Sequence, residues 1–137
     1  MMNSPEIFKN SRSLLVIFLH LVAIHSFFVG IGMIFLPIDI VNYFGFSLDN
    51  SRFFLTQGGI FHLVMSIAYI IGAKRIDSSF DFVSFSITAK FIATVFLFSY
   101  YLFSENILLI LLSGVGDFLM GLCLLILLNR LRKDSNL

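Results

Sequence analysis

The chain has 137 residues, of which 58% are hydrophobic and 12% charged, with a net charge of +1. A soluble fold of this size has too much surface to hide that much apolar side chain, whereas a bilayer is itself an apolar solvent. The near-zero charge argues against a nucleic-acid partner, which needs a concentrated basic surface.

The first long apolar run is 14–36, and it contains no Asp, Glu, Lys or Arg. It is too long for a cleaved leader, Glu6 interrupts a weakly basic start, and no small-x-small site follows Leu36, so it reads as a retained span. Pro37 ends it. The partly apolar stretch Pro37 to Phe46 then predicts a short interfacial helix stopped by Gly45, with Tyr43 at the headgroups. Asp49-Asn50-Ser51 offers caps for the next span.

The second span is predicted at 53–73, the third at 83–103 and the fourth at 107–128. At about 1.5 Å per residue, each covers roughly the 30 Å of a hydrocarbon core. The second has no charge, the third only Lys90 and the fourth only Asp117. The connection Lys74 to Phe82 and the shorter Ser104-Glu105-Asn106 make consecutive spans antiparallel neighbours. Ser104 is placed to cap the last helix, with Glu105 at its positive end. The fold class expected is therefore all-α, a polytopic membrane four-helix bundle forming one membrane domain over 1–137.

Lys9, Arg12, Lys74, Arg75, Arg130, Arg132 and Lys133 fall on one side of this arrangement, and only Arg52 falls on the other. The positive-inside rule then places both termini and the middle loop in the cytoplasm.

Polar residues inside the spans carry the most information, because a polar group in hydrocarbon costs several kcal/mol without a partner. Helical spacing groups Gly58, Gly59, His62, Ser66 and Tyr69 on one side of the second span. It groups Ser86, Lys90, Thr94 and Tyr101 on the third, and Ser113, Gly114, Asp117 and Gly121 on the fourth. His25 and Gly32 mark a candidate face of the first. These stripes are expected to face one another, leaving Leu, Ile and Phe to lipid.

Lys90 and Asp117 form the best pair, because a lysine side chain of about 6 Å closes most of the gap between neighbouring helices. Such a pair either locks two helices together or serves as a responsive charge in a cavity. His25 and His62 lie at nearly the same depth, the arrangement a b-type haem uses, and equally one that a serine or carbonyl bond satisfies. His20 is rotated by about 140° from His25 and does not share its face. Arg52 and Gln57 flank the outer mouth, as an anchor or as a site for an anionic group. Cys123, the single cysteine, allows neither a disulfide nor a Cys-based metal site. Phosphate loops, dinucleotide fingerprints, HExxH and nucleophile elbows are all missing from the sequence.

In its size, its four spans, the run Arg52 to Gly59, the lone Lys90, and Gly116-Asp117 followed by Gly121, the chain resembles the DoxX-like group of small bacterial membrane proteins, BphX-like proteins included. The resemblance implies a compact inner-membrane bundle, associated in some members with quinone-linked oxidoreductases. The redox cysteine pair is missing here, so no catalytic role is carried over.

Taken together, the residues point to an accessory or binding protein rather than an enzyme, with no catalytic residue, metal or cofactor expected. Its ligand-binding residues would be Lys90, Asp117, His25 and His62, holding a small hydrophobic ligand (quinone or lipid) within the bundle. The alternative is a small proton-coupled transporter in which Asp117 changes protonation. Four helices would then require a homodimer or larger complex.

Overall fold

The computed structural model describes the backbone of residues 4–46, 52–78 and 80–135, with side chains from residue 10 onward. Among these residues five helices follow in order: α1 Ser4–Phe35, α2 Ile38–Tyr43, α3 Phe53–Lys74, α4 Asp81–Phe103 and α5 Leu108–Ser135. All but α2 are long and apolar enough to cross a membrane. The chain is an all-α four-helix bundle and a multi-pass membrane protein.

The short α2 lies where the sequence predicts it. It ends in a turn whose Gly45 has φ 95°, a left-handed conformation that an L side chain rarely adopts. The helix ends differ more. α1 begins ten residues before the apolar run, because Pro5 and Glu6 suit a first helical turn and no breaker follows before Pro37. α5 likewise runs to Ser135, with no glycine or proline after Gly121 to stop it. Ser104 does not cap α5 as expected. It closes α4, donating its backbone N–H to Tyr100 O at 2.9 Å, and α5 starts four residues later. The proposed caps at Asp49, Asn50 and Ser51 lie outside the described residues.

Each long helix packs on its sequence neighbours, α1 and α5 close the ring, and among the described residues no diagonal pair of backbones comes close. The α1–α3 and α4–α5 pairings are the most extensive and α3–α4 the least. At the end carrying both termini the ring is sealed. Leu15, Leu19, Ala73, Ile76, Val83, Ile87, Leu124, Leu128 and Leu131 meet there, each between 0% and 7% exposed. Above them Val22, Ala23, Met65 and Tyr69 form a second layer. Outward faces are large and apolar, with Phe28 at 66%, Ile92 at 65% and Val95 at 66% exposed, as a surface meant for lipid requires. Cys123 is exposed among them.

Two polar contacts fasten the termini end. Ser11 Oγ donates to Asp134 at 2.5 Å, joining α1 to α5. The Arg12 guanidinium donates to both oxygens of Asp77, at 2.6 and 2.5 Å, joining α1 to the α3–α4 turn. Hydrogen bonding to Arg12 holds the Asp77 carboxyl below its ordinary range. A lowered folded-state pKa contributes stability at neutral pH, and that contribution is lost as pH falls through the folded pKa. Arg12→Ala is therefore expected to be less stable than wild type at pH 7, the gap closing in acid. A gap that persists below the carboxylate range would assign the effect to packing instead. The effect is expected to be small, since both groups are solvent-accessible.

At the opposite end, Arg52 reaches back to donate to Ile34 O at 3.1 Å. It thereby satisfies one of the carbonyls left open at the C-terminus of α1, where a cation is also electrostatically favoured. This geometry makes Arg52 a helix anchor.

Candidate functional site

Polar and small residues recur every three or four positions on α3, α4 and α5, so helix geometry stacks them on one face of each. Those faces turn inward. Gly59, Ser66 and Tyr69 on α3, Ser86, Lys90 and Thr94 on α4, and Gly114, Asp117 and Gly121 on α5 are all buried. Ser113 is exposed, and Tyr101 is half-buried.

On α1 the inward face differs from the expected one. Ser11, Leu15, Leu19, Val22, Ala23, Ser26 and Gly30 are buried, while His25 is exposed and Gly32 half-buried. His25 follows Val22 by three residues, about 300° of rotation, so it sits on the flank of this face.

Lys90 is 3% exposed and Asp117 9%, and Lys90 Nζ donates to Asp117 Oδ1 in an ion pair between α4 and α5. Nine residues from the start of α4, Lys90 lies about 14 Å along the helix, near its middle. Its stem has room because residue 121 is glycine: a β-carbon there would come within 3.2 Å of Lys90 Cβ. The Nζ atom stands 5.8 Å from the centroid of the Tyr69 ring on α3, within cation–π range. Thr94 Oγ1 donates to Lys90 O at 2.8 Å and Ser86 Oγ to Phe82 O at 2.6 Å, so these hydroxyls are satisfied within their own helix.

Both predicted histidines lie within electrostatic reach of the pair, and His62 is also within reach of His25. The four residues singled out from the sequence therefore share one region, with His25 at its margin. His20 lies apart, exposed and bonded to Val16 O on its own helix at 2.8 Å. Among the described residues no three His, Cys, Asp or Glu side chains gather as metal ligands would.

His62 shows how packing changes along the axis. It lies three residues from Gly59 and Met65, four from Ser66 and seven from Tyr69, all of them buried, yet His62 itself is only half-buried. Met33, Leu55, Leu97 and Tyr101, further toward the α2 end, are also half-buried. Glycines hold the pairs tightly there: Gly30 against Gly59 for α1–α3, and Gly114 against Phe98 for α4–α5. The two tight pairs are sealed together at the termini end; beyond the Lys90–Asp117 level buried residues (Val41, Ile110, Gly114) alternate with these half-buried ones. The shallow groove lined by Thr88, Phe91, Ile92 and Val95 is a separate feature on the outer surface of α4.

Sequence reasoning missed Ser26, whose Oγ is buried and has only Tyr69 near it, without a partner at full hydrogen-bond geometry. A lone serine among apolar residues carries no signal, and only its burial distinguishes it. Compared with protein-family models, curated proteins and solved structures, the chain finds no match, and the DoxX-like resemblance rests on its sequence features alone.

Proposed function

We propose that this protein holds a small membrane-soluble ligand, of the quinone or lipid class, above the Lys90–Asp117 pair. It acts as a binding or accessory protein, with both termini in the cytoplasm. The observation that carries this reading is the position of the pair. A charged couple, 3% and 9% exposed, stands inside the bundle, with the half-buried His62, Leu97 and Tyr101 further toward the α2 end. An ionisable residue inside a membrane bundle is by default a candidate functional site. A lysine ammonium has three N–H donors, so the bond to Asp117 leaves capacity for a ligand oxygen. His62, half-buried, lies on the same face of α3, toward the α2 end.

Purification of the intact protein in mild detergent, with mass spectrometry of co-purifying small molecules, tests this reading. Wild type is expected to retain a specific amphiphile that Lys90→Ala/Asp117→Ala loses. The Arg12→Ala/Asp77→Ala protein, which lacks an ion pair away from the site, is expected to keep it. Equal retention by all three, or by none, would overturn the proposal.

A second reading draws on the same asymmetry. A bundle with a continuous apolar seal at one end and several half-buried inward residues toward the other suits one access state of a transporter, with Asp117 as the protonating group. Four helices per chain would then work as a dimer. This reading expects pH-dependent flux in liposomes that Asp117→Asn abolishes, and the absence of flux under any gradient would reject it.

A further inference from the structure

Resting on the ligand reading above, we infer that the ligand carries a neutral oxygen head, a hydroxyl or carbonyl, seated on Ser26 Oγ beside Tyr69 and Lys90. One polar side chain from each long helix contributes to this level of the bundle: Ser26 from α1, Tyr69 from α3, Lys90 from α4 and Asp117 from α5. All four are buried, at 1%, 2%, 3% and 9% exposed. The buried hydroxyls of α4 return their hydrogens to carbonyls one turn back, Ser86 at 2.6 Å and Thr94 at 2.8 Å. Ser26 does not, and its Oγ is the sole buried side-chain polar atom among the described residues without a partner at hydrogen-bonding geometry. The Tyr69 hydroxyl faces it from α3 as a weak hydrogen-bonding partner, short of full hydrogen-bond geometry.

A hydroxyl holds one donor and two acceptor positions, and serving them with a single weak contact in a bundle interior is unfavourable. Buried polar atoms of this kind are ordinarily satisfied, so an exception points to an oxygen that binds there.

Charge then narrows the class. Lys90 and Asp117 cancel each other. A carboxylate head would set two negative groups around one ammonium away from water, and an ammonium head would face Lys90 directly. Either leaves an uncompensated charge where solvation is poor. A hydroxyl or carbonyl adds none. It can take a hydrogen from Lys90 Nζ or Ser26 Oγ, and a hydroxyl can also donate.

Three probes with the same decyl chain separate the heads: 1-decanol, decanoate and decylamine, each at matched mole fraction in phosphatidylcholine nanodiscs, read by thermal stability. Decanol is expected to raise the Tm of wild type, and the two charged probes are not. Ser26→Ala is expected to raise the ligand-free Tm, because an unsatisfied buried hydroxyl is removed. It should weaken decanol binding about tenfold, the worth of one hydrogen bond. Stabilisation by decanoate or decylamine equal to that by decanol would overturn the neutral head. An undiminished decanol response in Ser26→Ala, or a lower ligand-free Tm, would assign the hydroxyl to structure or to an ordered water. Those failures fall on this inference alone. No response to any probe, together with no co-purifying amphiphile, would remove the ligand reading itself.

Discussion

Asp117→Ala is expected to destabilise the bundle by about 3–5 kcal/mol, because it leaves the Lys90 ammonium buried with no anion beside it. Lys90 is 3% exposed near the middle of α4, too deep for its head to find water without unpacking the layer around Tyr69. Lys90→Ala is expected to cost a similar amount for the mirror-image reason. The double variant Lys90→Met/Asp117→Leu should recover most of the loss, since isosteric apolar residues carry no desolvation penalty and fill the same space. Unfolding in mixed micelles, measured for wild type, both single variants and Lys90→Ala/Asp117→Ala, gives the coupling directly. A coupling of about 1–3 kcal/mol is expected for groups in contact. Fully additive losses would mean that the ion pair seen between α4 and α5 contributes nothing as a pair. The same cycle bears on function. A pair that is nearly neutral against apolar replacement is not needed to hold the fold, which leaves its ligand-facing capacity as the reason for its presence.

The four spans and this pair were legible because hydrocarbon imposes a severe test. Only about twenty unbroken apolar residues cross it, and a lone Lys90 or Asp117 stands out against them. The inward faces of α3, α4 and α5 were legible for a related reason: small and polar residues repeat at helical spacing against Leu, Ile and Phe. On α1 that contrast is missing. Its buried Leu15, Leu19, Val22 and Ala23 are as apolar as its exposed Leu14, Ile17 and Leu21, and lipid does not sort one set from the other. His25 and Gly32 drew attention by residue type while the packing face lay elsewhere. Contacts distant in sequence, such as Ser11 with Asp134, leave no local pattern at all. Nor did Ser26, because a serine in a helix ordinarily bonds to its own backbone.

Gly59→Leu is expected to part α1 from α3, with a stability loss of about 3 kcal/mol or more, at the upper end of overpacking penalties. A β-carbon on Gly59 would lie 2.7 Å from Ile34 Cγ1, 2.8 Å from Gly30 O and 3.2 Å from Met33 Cβ. The side chain of Ile34 can rotate away, but the Gly30 carbonyl belongs to the helix backbone and can yield only if α1 moves. Reciprocally, a β-carbon on Gly30 would lie 2.8 Å from Gly59 O, so the two glycines form a close backbone contact between the helices. In lipid such close approach, rather than apolar burial, supplies much of the attraction between helices. Gly116, whose added β-carbon would meet nothing within 4 Å, is the matched control, and Gly116→Leu is expected to be nearly neutral. The Gly30–Gly59 contact also sets the wall on which His62 stands, one turn further along α3. A displaced α1 would therefore shift Ser26 away from Tyr69 and disturb the packing around Lys90. Gly59→Leu should then lose ligand retention along with stability, while Gly116→Leu keeps both. Retention unaffected by Gly59→Leu would show that the α1–α3 contact supports the fold without shaping the site.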